Sequence, residues 1–175
     1  KFKENADCVG VPLRSVSLKI VSADGGRLVG KNEIGVLWVK GDNVMAGYYK
    51  NPQKTNEVLK DGWLCTGDLA LFTDEGFLKI KGRNDDLIIK AGMNIYPQEI
   101  ESALKLDYRV KDVFVRGYTD DKLGVQIELN ITGDFSDVSE VKDLCRINLS
   151  GYQVPTRINL LDEIPKNGSG KIIRR

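Results

Sequence analysis

Three stretches of this chain set charged side chains among glycines and turn residues, the combination from which binding chemistry can be built. Near the end, Pro165-Lys166-Asn167-Gly168-Ser169-Gly170-Lys171-Ile172 sets a lysine in a glycine-rich run, where backbone amides and an ammonium can meet phosphate. The run is not a Walker loop, which needs Gly where Pro165 stands and Ser or Thr where Ile172 follows Lys171. Taken alone it is a flexible loop offering Lys171 to solvent. Gly62-Trp63-Leu64-Cys65-Thr66-Gly67-Asp68-Leu69 places a carboxylate beside a glycine-permitted bend and ahead of an apolar run. Such an Asp either caps local backbone or accepts from the vicinal hydroxyls of a ribose, as an acidic residue does in dinucleotide folds. The densest stretch, Gly82 to Glu101, carries Arg83, Asp85, Asp86 and Gly92 among turn residues and has the texture of a linker between two regions. Asp85 and Asp86 lack the spaced acidic or amide partners of a cation loop, so no metal site is expected in this chain.

The composition narrows the chemistry further. The 175 residues include 26 Lys plus Arg against 25 Asp plus Glu, three Cys and no His. Without His, Ser-His-Asp and Cys-His catalysis, His-containing zinc sites and imidazole pH switches are excluded, which leaves Lys, Asp, Glu, Arg and backbone groups. Cys8, Cys65 and Cys145 are far apart and form no CxxC pair, which fits a reducing cytoplasm rather than a disulfide framework. There are 13 basic against 10 acidic residues up to Asn84 and 13 against 15 beyond it, so neither half has the basic excess that nucleic acid demands. The tail bearing Lys166, Lys171, Arg174 and Arg175 is a local exception and reads as solvated. No apolar run approaches the roughly 18 residues of a membrane-spanning helix. The polar opening Lys1-Phe2-Lys3-Glu4-Asn5, which does not begin with Met, looks like the start of a fragment.

The elements that must position these residues change character along the chain. Val16, Leu18 and Ile20 alternate with Ser15, Ser17 and Lys19, which predicts a strand with one wet face. Asp24-Gly25-Gly26 predicts a hairpin turn leading to a buried strand over Ile34 to Val39, Asn51-Pro52 a turn or helix start, and Thr73-Asp74-Glu75-Gly76 a second hairpin between Leu69–Phe72 and Phe77–Lys81. From about Asp85 the pattern becomes α+β. A helix opens at Pro97, with Glu99 and Glu101 near its positive end and Ile100, Ala103 and Leu104 on one face. Val125, Ile127, Leu129 and Ile131 face inward on a strand whose other face, Gln126, Glu128 and Asn130, is expected to be wet. Asp137-Val-Ser-Glu140 caps a helix with the stripe Val138, Val141, Leu144, Cys145 and Leu149, and Arg157 to Leu161 returns as a strand. The expected fold class is α+β: a β-rich, distorted barrel-like subdomain over 1–84 and a small α+β domain with a short sheet and packed helices over 85–175.

Taken together, these stretches resemble the adenylate-forming superfamily of acyl-CoA synthetases, luciferases and peptide-synthetase adenylation domains. The motifs occur in family order: Gly35-Val-Leu-Trp-Val-Lys-Gly41 running to Ala46-Gly47-Tyr48-Tyr49, Thr66-Gly67-Asp68, Gly82-Arg83-Asn84-Asp85 with Asn94-Ile95-Tyr96-Pro97, and Asn167-Gly168-Ser169-Gly170-Lys171. The resemblance implies the last third of such an enzyme, with residues 85–175 as its mobile lid and the triphosphate loop, acyl pocket and magnesium ligand upstream. It assigns Asp68 to the adenylate ribose, Arg83 to the ribose or phosphate region, Ile80 to the nucleoside face, Asp85 to the hinge, Gly92 to the CoA pantetheine tunnel and Lys171 to catalysis of adenylation. The implied reaction joins a carboxylic acid, fatty acids among them, to AMP at the expense of ATP and then to CoA, in the cytoplasm, by domain alternation; the fragment alone is expected to be inactive. Two alternatives are an adenylation domain that loads a carrier protein and a non-catalytic two-lobed binding module.

Overall fold

In the computed structural model, which describes residues 7–173, the alternating segment near the start forms β1 (Val16–Val21), paired antiparallel with β2 (Gly35–Gly41). Leu18 and Ile20 pack with Leu37, Val39, Ala70 and Leu78, and this cluster is the core of the unit that extends to Asp85. The face expected to be wet is partly covered. The Lys19 ammonium sits 4.3 Å from the Trp63 ring centroid and 5.4 Å from that of Trp38, a cation held over two aromatic faces. The Asp24-Gly25-Gly26 turn forms, with the Gly26 N–H donating to Asp24 Oδ1 at 2.9 Å, but it closes a side excursion between Ser22 and Arg27, and β2 starts later, at Gly35.

Asn51 caps α1 (Pro52–Val58), its side chain accepting from the Lys54 N–H at 3.0 Å with Pro52 at the first helical position, the arrangement that Asn-Pro favours. Then β3 (Leu59–Lys60), β4 (Trp63–Phe72) and β5 (Leu78–Arg83) complete a curled, five-stranded antiparallel sheet of order β1-β2-β4-β3, with β5 also on β4. The turn from β4 to β5 is the expected one, closed by Thr73 N–H to Phe77 O and Gly76 N–H to Thr73 O, both 2.9 Å.

The second unit, from Asp86, begins with a small hairpin of β6 (Ile88–Lys90) and β7 (Met93–Ile95), a regular element where the sequence suggested only linker. After α2 (Pro97–Leu104), β8 (Val110–Asp120) pairs antiparallel with β9 (Gly124–Gly133), and α3 (Val138–Asn148) leads to β10 (Arg157–Leu160), parallel to β9. Ile95, Ile100, Leu104, Val113, Val115, Ile127, Leu129, Ile131 and Val141 are buried together, each worth about 1.5–3 kcal/mol of transfer from water. The overall class is α+β.

Three local expectations are corrected. The polar face of β9 is not wet: Gln126, Glu128, Asn130 and Thr132 are all buried, because β9 is the central strand and arginines from both neighbours close over it. Arg116 on β8 and Arg157 on β10 both pair with Glu128, and Asn159 donates to it at 3.3 Å. Burial pushes the Glu128 carboxyl up, but these donors outweigh it and hold it below its usual range. Glu101, expected near the positive end of α2, lies beyond its first turn, which holds Glu99; it is buried and its Oε1 accepts from the Val115 N–H at 2.9 Å, tying α2 to β8. Val125 and Val138, expected in the core, are exposed. Among the described residues no helix is long and apolar enough to cross a membrane.

Candidate functional site

In the first unit the candidate chemistry is gathered by an irregularity in β4. Opposite β2, Val36 pairs with Leu69 and Trp38 with Cys65, so Thr66, Gly67 and Asp68 together face the single residue Leu37. This bulge is braced by one hydroxyl: Thr66 Oγ1 donates to the Leu37 carbonyl at 3.1 Å and accepts from the Asp68 N–H at 3.0 Å. Bulges re-aim side chains, and here the outcome is that Asp68 lies across from Arg83 on β5. Arg83 Nη1 meets Asp68 Oδ1 at 3.1 Å and the Thr66 carbonyl at 3.2 Å, with both charged side chains part-exposed.

Gly67 makes that approach possible. Its φ is +74°, and a Cβ there would lie 3.1 Å from Arg83 Nη2. The guanidinium therefore occupies the space that a side chain at position 67 would need. A cleft of about 360 Å³ shares Arg83, Thr66 and Gly67 with this pair and is walled by Trp38 and Tyr48, with Lys54 at its side. The chemistry on offer is an acceptor for hydroxyls beside a fixed cation, next to an aromatic-walled recess. Ile80, two residues before Gly82 on β5, pairs with Ala70 and packs against the core cluster. Asp85 lies in a single 3₁₀ turn, Asn84–Asp86, at the end of this unit.

In the second unit, Ala91 (φ 50°) and Gly92 (φ 78°) are the two central residues of the β6–β7 turn, both left-handed as a type I′ turn requires. A Cβ on Gly92 would meet nothing within 4 Å, so within the chain backbone conformation rather than crowding selects glycine. Lys171 is exposed on a loop folded back on itself: Lys166 and Ile172 form an antiparallel bridge, and Lys166 Nζ reaches Asp112 Oδ2 on β8 at 2.6 Å. A cleft of about 390 Å³ beside the loop is lined by Glu101, Lys105, Asp112, Lys166 and Lys171, three ammonium groups to two carboxylates. Arg174 and Arg175, the rest of the basic tail, lie outside the described residues.

The structure thus brings Asp68 and Arg83 into contact in the first unit and places Gly92 and Lys171 at turns in the second. Two further residues were not singled out from sequence. Thr66 braces the bulge, and Asn167 organises the Lys171 loop; the signal for the second was an Asn-Gly pair, a strong turn former, four residues before the lysine.

Comparison with known proteins places these features in a family context. The model of the AMP-binding enzyme matches residues 2–49, and that of the AMP-binding enzyme C-terminal domain matches residues 99–171, together more than two thirds of the chain. A long-chain-fatty-acid–CoA ligase of Haemophilus influenzae is 41% identical over 170 residues, covering 95% of this chain and 30% of that protein. Among solved structures, the o-succinylbenzoate CoA synthetase of Bacillus subtilis, in complex with its acyl-adenylate intermediate, superposes with a TM-score of 0.89 at 35% identity, covering 98% of this chain and 35% of that one. The same synthetase is known with ATP and magnesium ion. An amide bond synthetase of Marinactinospora thermotolerans matches with a TM-score of 0.84 at 30% identity, covering 97% and 35%. The chain spans about a third of the length of the proteins it matches.

Proposed function

We propose, since this chain belongs to the adenylate-forming family of AMP-binding enzymes, that it is the C-terminal part of an ATP-dependent acyl-CoA synthetase acting on fatty acids in the cytoplasm. The observation that carries the reading is 41% identity along 95% of the chain to a long-chain-fatty-acid–CoA ligase, with Asp68, Arg83 and Lys171 all present in ordered positions. In this reading the carboxylate of the fatty acid attacks the α-phosphorus of ATP, pyrophosphate leaves, and the acyl-AMP is then attacked by the thiol of CoA, releasing AMP.

The residues fit those steps. Asp68 accepts from the ribose hydroxyls, and Arg83, already aligned by Asp68 and the Thr66 carbonyl, donates to the same ribose or to phosphate. Ile80 is the residue the family likeness assigns to the nucleoside face, although in this chain it packs against the core cluster and does not line the cleft. Lys171 stabilises the approach of two anions, the carboxylate and the α-phosphate, where one well-placed cation is worth most. Gly92 lines the path of the pantetheine arm, and Asp85 is the pivot between the two half-reactions. ATP brings magnesium with it. Among the described residues no three Asp, Glu, Cys or His side chains gather to hold a metal, so no step is assigned to magnesium through this chain.

The test is to compare this chain with a protein extended upstream to the length of the relatives, incubating each with ATP, magnesium, CoA and a panel of carboxylic acids. The extended protein should form acyl-AMP and then acyl-CoA, with fatty acids favoured, whereas the 175-residue chain should fold and release no pyrophosphate above a Lys171→Ala control. Absence of acyl-AMP from every acid tried in the extended protein would overturn the reading.

A further inference from the structure

Resting on the assignment of Lys171 to adenylation, we infer that Asn167 is a positioning residue for that lysine. Its Oδ1 accepts three hydrogen bonds: from the Ser169 backbone N–H at 3.1 Å, the Ser169 hydroxyl at 2.8 Å and the Lys171 backbone N–H at 2.9 Å. The Asn167 backbone N–H donates to the Lys171 carbonyl at 2.8 Å, and the Asn167 carbonyl accepts from Gly170 at 2.9 Å. Both main-chain polar groups of Lys171 are therefore held by one residue. Fixing the peptide planes on either side of a Cα fixes the direction in which its Cβ leaves, so Asn167 sets where the Lys171 side chain starts.

The base of the loop is fixed as well. The Ile173 N–H donates to the Pro165 carbonyl at 3.0 Å, and the Lys166–Asp112 pair ties the loop to β8. The loop tip, by contrast, is held by Asn167 through hydrogen bonds that span only two to four residues. A lysine ammonium on its four-carbon stem samples many positions, and stabilisation of a transition state depends on the donor being in place before reaction. A misplacement of about 1 Å is enough to cost up to roughly a hundredfold in rate. Asparagine suits the task because its short carbonyl arm reaches the backbone two residues on, as Asx turns do.

The test uses the extended enzyme and measures carboxylate-dependent ATP–pyrophosphate exchange and acyl-AMP-to-CoA transfer separately for Lys171→Ala, Asn167→Ala and Asn167→Asp. Asn167→Ala should lower exchange on the order of tenfold or more while leaving transfer within about twofold. Asn167→Asp keeps the acceptor and should recover most of the exchange. In the 175-residue chain, amide exchange at Ser169 and Lys171 should quicken in Asn167→Ala and not at β8 or β9. If Lys171→Ala lowers exchange but Asn167→Ala does not, or if Asn167→Ala lowers both half-reactions equally and Asp fails to rescue, the positioning role is overturned and the lysine assignment stands. If Lys171→Ala itself leaves exchange unchanged, the assignment on which the role rests is what has failed.

Discussion

At the scale of single residues, the Asp68–Arg83 pair depends on Gly67 and Thr66 more than on the charges themselves. An exposed ion pair is worth at most about 1 kcal/mol, so its geometry must be imposed by the bulge. Gly67→Ala forces an L side chain to φ +74° and places its Cβ 3.1 Å from the guanidinium. We expect a loss of about 1–3 kcal/mol, read from the urea midpoint of the chain, and a raised KM for ATP in the extended enzyme. Thr66→Val, nearly isosteric, removes both bracing hydrogen bonds and should cost on the order of 1 kcal/mol per bond. Unchanged stability in both variants would show that the bulge holds itself. The residues of this site were legible in the sequence because Thr66-Gly67-Asp68 and Gly82-Arg83 are distinct motifs. Their contact was not, since a bulge is a property of two strands in register and the single chain carries no mark of how many residues its neighbour opposes.

At the scale of elements, charged residues turn out to be structural in the second unit. Glu101→Ala would leave the Val115 N–H without its acceptor inside the α2–β8 seam, at a cost of about 1–3 kcal/mol, whereas Glu101→Gln keeps an acceptor and should cost less; thermal unfolding of the two variants separates them. A second expectation concerns acid. Asp107 accepts two hydrogen bonds from the Arg109 guanidinium and one from its backbone, which brings its carboxyl down from 3.8 to about 2. A folded value below the unfolded one means that this stabilisation is complete above about 4 and is lost as the pH falls toward about 2. Glu128, held low by Arg116, Asn159 and Arg157, acts in the same direction. Stability of the chain should therefore fall as pH drops through that window, and Asp107→Asn should flatten the fall; a curve that rises on acidification would contradict the assignment. Period-two alternation placed β9 correctly but mistook its second face, because alternation records which residues are polar and not whether a third strand and two arginines cover them. The β6–β7 hairpin escaped for a different reason: Ala at the first left-handed position hides a turn that Asn-Gly or Asp-Gly would have announced.

At the scale of the whole molecule, the two half-reactions proposed above would be served by a chain whose two units meet in sequence at Asp85 and Asp86. The change from β to α+β texture there was visible in the sequence. Asp85 occupies a 3₁₀ turn, whose φ of roughly −50 to −70° overlaps the value of about −65° that proline imposes. Asp85→Pro should thus leave each unit folded while removing the freedom of a pivot and restricting Asn84 as well. We expect adenylation to survive and thioester formation to fall by at least about tenfold, or roughly 1.4 kcal/mol in the second barrier. Lys171→Ala should act in the opposite sense, lowering adenylation by about a hundredfold or more, near 3 kcal/mol, and sparing transfer from supplied acyl-AMP. The most direct test is therefore the ratio of ATP–pyrophosphate exchange to acyl-AMP-to-CoA transfer in the extended enzyme. The account predicts that Lys171→Ala lowers that ratio about a hundredfold and Asp85→Pro raises it at least about tenfold; a ratio unchanged by both substitutions would contradict it.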